Sequence, residues 1–569
     1  MDYLQEYRSK LKTPEEAVRV VKDGDWVDYT SNLGFPPLLD AALAARRDEL
    51  TDVKIRGNLI FGPIRAAECD PSKEHFCYNS WHFSAYERKL ADRGLAYFIP
   101  MVFRSNTLYY KHFLDVNVAM MAVPPMDEQG NFSLSCATGV ARGILDKADY
   151  VILEVREELP YLCSAFDGTI NITEVDAVVE GEHGPLPIIP TPETTAEDLA
   201  IANHILPHIR DGAALQLGIG GMPNVLGKLI AESDVKDLSM HTELCGDAYM
   251  VLDRAGKITN TRKTLWPGKG LTGMVFGSAA LYDWADHNPN LLAAPLSYVN
   301  DVRTIAQLDN MISINNCIAV DLYGQVSAES SGMRHISGTG GQLDYLTGAA
   351  MSNGGKAFIA MTSTYKEKDG TARSRIRPHF NGDIITDPRS EAYWIVTEYG
   401  AVNLRDALQI LHPADMHDQR IVGRPPLCRI DLPGGFRIKG QRSGYAHGHR
   451  LCRQHDDPLL RELPGLLRGR QTEQCPHAVP EGHAGTQRHE RVHIGRAVDQ
   501  ALEAADEEFL VDDHDDGRQQ QLDQAHGDVI VVKPVGKRPA PHHVAHGDVH
   551  QRRQKHQRGD EPPLQRRGL

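Results

Sequence analysis

One local plan occurs twice in this chain at a spacing of roughly 188 residues, and that recurrence limits the fold more than any single motif does. In the first copy, Val21-Lys22-Asp23-Gly24 leads into a β-rich run through Tyr29. Gly34-Phe35-Pro36 then opens a helical segment carrying Leu38, Leu39 and Ala42, and Leu50–Ile55 enters the next strand. In the second copy, Ile209-Arg210-Asp211-Gly212 leads into the buried run Ala213–Leu217. Gly221-Met222-Pro223 opens a helix, and Val235-Lys236-Asp237-Leu238 enters a strand. Unrelated strand–turn–helix units would share part of this likeness; the near-constant offset is what suggests a common plan. Such units build open, mostly parallel sheets covered by helices. The sequence therefore predicts an α/β fold with two similar open α/β domains from an internal duplication, over residues 1–190 and 196–405. Pro185, Pro187, Pro190 and Pro192 crowd into Pro185–Thr195, which reads as the linker.

Further strands are expected at Tyr150–Val155, Cys317–Leu322, Ala357–Met361 and Tyr393–Thr397, all rich in β-branched and aromatic residues. A hydrophobic fraction of 41% suffices for folded cores. No run of about 18 apolar residues occurs, so no membrane span is expected. The first residues lack a basic-then-apolar leader. Nine cysteines without a C-x-x-C pair suit a reducing cytoplasm, and a net charge of −15 argues against a nucleic-acid surface.

The second copy also holds a candidate site. In open α/β sheets, ligands bind beside the carboxyl ends of strands. Gly218-Ile219-Gly220-Gly221-Met222-Pro223 follows one strand, and Asp237–Thr242 is expected to deliver Glu243 at the end of the next. Glycines there let backbone N–H groups approach a ligand, and the helix that follows favours anionic or polar oxygen. The run is neither a dinucleotide G-x-G-x-x-G nor a P-loop, because Pro223 holds the third glycine position and no G-K-[ST] follows. On position alone, a strand-end glutamate facing solvent is an equal alternative. A second glycine loop, Ser337–Gln342, precedes an apolar helix over Leu343–Ala350 and could donate N–H groups to an oxyanion or simply form a tight turn. Glu329 and Glu398 rank below Glu243, either lining the pocket or bracing a loop. Cys245 has no evident base and reads as a packed hydrophobe. His241, on the same strand face as Glu243, could act as a base for hydrolysis or shape or charge the pocket.

The motifs resemble the acetyl-CoA hydrolase/transferase family of CoA-transferases. They are GIGGMPN at Gly218–Asn224, HTE at His241–Glu243, INNCIAVDLYGQVSAESSG at Ile314–Gly332, HISGTGGQLDYLTGA at His335–Ala349 and VTEYGAVNL at Val396–Leu404. Support comes from EHFCYNSWH at Glu74–His82 and APLSYVNDVR at Ala294–Arg303. The resemblance implies two CoA-transferase-like domains and transfer of CoA from a short-chain acyl-CoA to a carboxylic acid such as acetate. It implies Glu243 as the nucleophile that becomes a glutamyl-CoA thioester. Gly218, Ile219, Gly220, Gly221 and Met222, together with Ile318, Gly341 and Lys366, are implied as CoA contacts, with Gly341 also the candidate oxyanion donor. Coenzyme A would be substrate and covalent intermediate rather than a resident cofactor, and no metal, nucleic-acid or membrane partner is implied. Self-association stays open. So do two other readings: acyl-CoA hydrolysis, and a non-catalytic CoA-binding remnant.

The resemblance stops at Leu404. Residues 406–569 hold 20 arginines but 4 lysines, 16 of the 26 histidines, one tyrosine, two phenylalanines and no tryptophan. So few large apolar side chains cannot build a core, so this tail is expected to be disordered. Its composition resembles out-of-frame translation, and its histidines, His542, His543, His546 and His550 among them, do not make a framed metal site.

Overall fold

The computed structural model describes residues 2–190 and 192–405; the expectation for residues 406–569 lies outside the described residues. Two eight-stranded sheets carry the fold. The first runs, edge to edge, Leu11–Lys12, Ala177–Val179, Tyr150–Val155, Val118–Val123, Trp26–Ser31, Val53–Asn58, Phe76–Ser80 and Ala96–Phe98. In the reverse direction, the second runs Leu291–Ala293, Gly270–Val275, Ser239–Cys245, Ala214–Leu217, Met311–Asn316, Lys356–Ala360, Trp394–Thr397 and Gly400–Asn403. Apart from the edge strand Leu11–Lys12, each sheet starts at an interior strand, steps outward through three neighbours, then returns to the other side of its starting strand. The wiring is therefore the same in both halves, as the repeated plan requires. Only the last edge differs: Leu11–Lys12 pairs parallel and comes from the chain start, whereas Gly400–Asn403 folds back antiparallel on Trp394–Thr397.

The central strands are continuous apolar runs because helices cover both faces. Val118–Val123 is wholly buried, and so are Ala214–Leu217 and Gly270–Val275. Expected and observed elements differ by a residue or two at most ends. The exceptions are Cys317–Leu322, which shortens to Ala319–Asp321 in a small separate sheet, and Asp237–Thr242, which shifts to Ser239–Cys245. Glu243 thus sits inside its strand, two residues short of the end where the sequence placed it.

The two halves share core. Leu33, Cys136, Leu159 and Leu162 of the first half join one apolar cluster with Val275, Phe276 and Leu281 of the second. Phe61 stacks on Phe276 with ring centroids 3.9 Å apart. The proline-rich connection docks rather than dangles. Ile189 N–H donates to the Gly277 carbonyl at 3.0 Å, and the Tyr282 hydroxyl to the Pro187 carbonyl at 2.7 Å. Among the described residues, no helix is long and apolar enough to cross a membrane.

The duplicated units differ where their first helices begin. In the first half, the buried Glu154 carboxylate accepts from Leu38 N–H at 3.0 Å and Leu39 N–H at 2.9 Å, and His183 Nε2 lies 2.9 Å from it. A side-chain anion thus occupies the N-terminus of Pro37–Ala45. In the second half, the equivalent helix Gly221–Glu232 starts from Gly220, at φ 120°, with no side-chain cap. Glu154→Ala should therefore lower stability by about 2–4 kcal/mol, because two N–H groups and His183 lose a buried acceptor. Glu154→Gln should recover part of that loss in denaturant unfolding.

Candidate active site

Glu243 projects from Ser239–Cys245 into the seam between the two halves. Asn300 Nδ2 donates to Glu243 Oε2 at 2.6 Å and also lies 3.3 Å from Asp344 Oδ2. Asp344 is fully buried at the start of helix Gln342–Met351, where it accepts the Arg104 backbone N–H at 3.1 Å and pairs with the Arg104 guanidinium. The first half thus reaches Glu243 through Arg104, Asp344 and Asn300 in turn.

Gly341 closes the other side of the carboxyl. A Cβ placed there would stand 1.8 Å from Glu243 Oε2 and 2.0 Å from Asn300 Nδ2. Only a residue without a side chain lets the loop lie against the carboxyl this closely. Burial pushes Glu243 up to about 8, with the Asp344 charge acting the same way and the Asn300 hydrogen bond opposing both. The site therefore disfavours the carboxylate relative to any neutral form of Glu243.

The surrounding groups hold this arrangement. His241 is buried and its Nε2 hydrogen-bonds the Val299 carbonyl at 2.8 Å; Tyr345 donates to the same carbonyl at 3.3 Å. Together they fix the backbone that presents Asn300. Burial, with the Lys263 ammonium nearby, pushes His241 down to about 3, so it is a neutral support. That corrects the expectation that it could charge the pocket or serve as a base. Cys245 is wholly buried and burial raises its thiol well above the ordinary range, as suits a packing residue. The two other glutamates brace loops. Glu329 accepts from Thr339 Oγ1 at 3.2 Å and Thr386 Oγ1 at 3.1 Å beneath the second glycine loop. Glu398 accepts the Ser363 N–H at 2.8 Å.

The residues matched to CoA are only partly gathered. Gly341 touches Glu243. The Gly218–Met222 run follows the strand beside that of Glu243, and Ile219 and Gly220 line a small pocket with Pro190, Gly246, Asp247 and Phe276. The carboxyl itself meets the Ser337–Gly341 loop, and the pocket beside the glycine run expected to share its immediate surroundings is not lined by Glu243. Ile318 sits where its carbonyl accepts from Arg375 Nη1 at 2.9 Å. Lys366 is exposed on the hairpin Thr364–Lys366 with Ala372–Ser374. Neither shares a hydrogen bond with Glu243 or Gly341 among the described residues.

Sequence reasoning gave no role to Asn300, Asp344, Arg104 or His82, although three of them stand within the family-like motifs. The available signal was a charged residue, Asp344, at an otherwise apolar helix start directly after a glycine loop. Nothing local in the sequence points from Arg104 to a partner 240 residues on.

Two family models match this chain. The acetyl-CoA hydrolase/transferase N-terminal domain covers residues 1–190, and the C-terminal domain of the same name covers residues 277–409. The chain is 44% identical over 433 residues to the butyryl-CoA:acetate CoA-transferase of Anaerostipes caccae, covering 74% of this chain and 97% of that protein. It is 34% identical over 408 residues to the 4-hydroxybutyrate coenzyme A transferase of Clostridium kluyveri, covering 71% and 93% respectively. Among solved structures, RipA from Yersinia pestis aligns with a TM-score of 0.67 at 33% identity, over 73% of this chain and 97% of RipA.

The charge environment predicts that one carboxyl, assigned by its loss in Glu243→Gln, titrates near 8 in a carbon-13 NMR titration. Asp344→Asn removes the neighbouring negative charge and should move that midpoint down. Asn300→Ala removes the hydrogen bond that favours the anion and should move it up.

Proposed function

This chain belongs to the acetyl-CoA hydrolase/transferase family, and we propose that it moves CoA from a short-chain acyl-CoA to a carboxylic acid such as acetate, through a glutamyl-CoA thioester on Glu243. The enclosed carboxyl of Glu243, pressed against Gly341 and Asn300, carries this reading. The carboxylate of Glu243 attacks the acyl-CoA carbonyl and the tetrahedral adduct collapses to a mixed anhydride, expelling CoA thiolate. The thiolate attacks the glutamyl carbonyl, which releases the donor acid and leaves the thioester. The acceptor carboxylate then attacks that thioester, and the returning thiolate takes the new acyl group and frees Glu243.

The electrostatics favour this course. The mixed anhydride and the thioester of Glu243 are neutral, whereas its free carboxylate is the form that burial penalises. The raised energy of the anion offsets part of the cost of forming a reactive anhydride. The backbone N–H of Gly341, at the mouth of helix Gln342–Met351, is suited to the oxyanion of each tetrahedral step. The helix start at Gly220, where nothing stands within 4 Å of an added Cβ, is suited to polar oxygens of CoA, and Ile318 and Lys366 are proposed as outer CoA contacts. We assign the two sheets to separate domains, over 1–190 and 196–405. The cysteine pattern supports a cytoplasmic setting.

Hydrolysis differs only in water replacing the acceptor acid.

Incubation with butyryl-CoA should add the mass of CoA to the peptide bearing Glu243, and Glu243→Ala should abolish both the adduct and turnover. Loss of acyl-CoA should depend on added acetate; loss at the same rate without acetate would favour hydrolysis. Gly341→Ala should keep the fold yet lower kcat/KM by more than about 100-fold, since its methyl displaces the Glu243 carboxyl.

A further inference from the structure

The two oxygens of Glu243 face different neighbours. Oε2 accepts from Asn300 and lies against Gly341. Oε1 faces Gly340: a Cβ placed on Gly340 would lie 3.7 Å from Oε1, 3.2 Å from His82 Cε1 and 3.4 Å from His82 Nδ1. The imidazole of His82 and the free oxygen of Glu243 therefore border the same small space, from opposite halves of the chain.

His82 is held firmly there. Its carbonyl accepts from Leu59 N–H at 3.0 Å and from Ser80 Oγ at 3.2 Å. Its ring leans on Phe103 at 5.6 Å between centroids, and Gly338 packs so closely that a Cβ there would be 2.9 Å from His82 Cα. Yet Nδ1 is buried with no hydrogen-bond partner among the described residues. An ordered, buried ring nitrogen left unpaired is costly unless something else meets it. Burial, with His335 and Arg88 adding positive charge nearby, pushes His82 down to about 4, so the ring is neutral at working pH and keeps one N–H to donate.

We propose that His82 is a further catalytic residue of the first half, donating a hydrogen bond to the acyl oxygen of the substrate as Glu243 Oε1 attacks. The inference rests on the transfer chemistry above. In that step the bond from Oε1 to the acyl carbon forms, and the carbonyl electron pair moves onto the acyl oxygen. That oxygen accepts the imidazole N–H; on collapse the pair returns and the CoA thiolate leaves. No proton changes hands, so a neutral imidazole suffices.

Rapid-quench mass spectrometry of the full chain with butyryl-CoA measures the step directly. His82→Ala should slow formation of the CoA adduct by roughly 100-fold, the loss typical of one oxyanion donor. His82→Asn, which keeps an N–H, should recover at least part of the rate, and the dissociation constant for CoA should stay within about twofold in both. Adduct formation at the wild-type rate in His82→Ala overturns the proposal, and so does an equal loss in both variants matched by weaker CoA binding, which marks a packing role. If His82→Ala does not fold, nitrogen-15 spectra of the wild-type CoA adduct decide. The His82 N–H should shift when butyrate is added, and an unmoved signal overturns the assignment. Failure of the wild-type protein to form any adduct overturns the transfer reading instead.

Discussion

Enclosing one carboxyl in the seam between two halves is the constraint on which the rest of this structure depends. A solvated glutamate is a stable anion and a poor relay for an acyl group. Pressing Glu243 against Gly341 strips that solvation, and Asn300 leaves it a single strong hydrogen bond. The balance lifts the carboxyl to about 8 without burying an ion outright. Three supports then become necessary. The loop must lack side chains at Gly341, the Val299–Asn300 backbone must be fixed by His241 and Tyr345, and Asp344 must be paired by Arg104 from the other half.

The duplication explains why there is a seam. Two sheets with the same wiring present equivalent ends, yet of the two equivalent first helices only Gly221–Glu232 starts, among the described residues, with no side-chain acceptor on its N–H groups. Glu154 fills that place in the first half, where it joins Leu38, Leu39 and His183 in a buried polar cluster. A carboxylate held by two N–H groups is a structural anion and competes with any ligand for them. The first half instead supplies Arg104 to Asp344, the Phe103 N–H to the Gly340 carbonyl and the His82 ring beside Gly340.

The same packing bears on the choice between water and an acid as acceptor. Residue identity is shared by both outcomes, since each attacks the same thioester carbonyl. What separates them is access. The packing nearest the carboxyl is tightest at Gly338 and Gly341, where an added Cβ would stand 2.3 Å from the Trp81 carbonyl oxygen and 1.8 Å from Glu243 Oε2.

By itself the sequence determined the α/β class and the duplicated plan, because those depend on local periodicity and on strand–loop adjacency, whereas Glu243 stood out only through the resemblance of its motif. Apolar runs such as Ala214–Leu217 and turns such as Gly220-Gly221 carry their conformational preferences within a few residues. It could not place Glu243 against Gly341 instead of the Gly218–Met222 run, although both loops were legible as glycine-rich. Nor could it show that Glu329 and Glu398 are loop braces or that His241 is a buried neutral support. Those facts depend on contacts such as Arg104 with Asp344 and Gly340 with His82, which join residues more than 200 positions apart. Only the packing of one half on the other brings them together, and desolvation, which sets the chemistry of Glu243, exists only once that packing is complete.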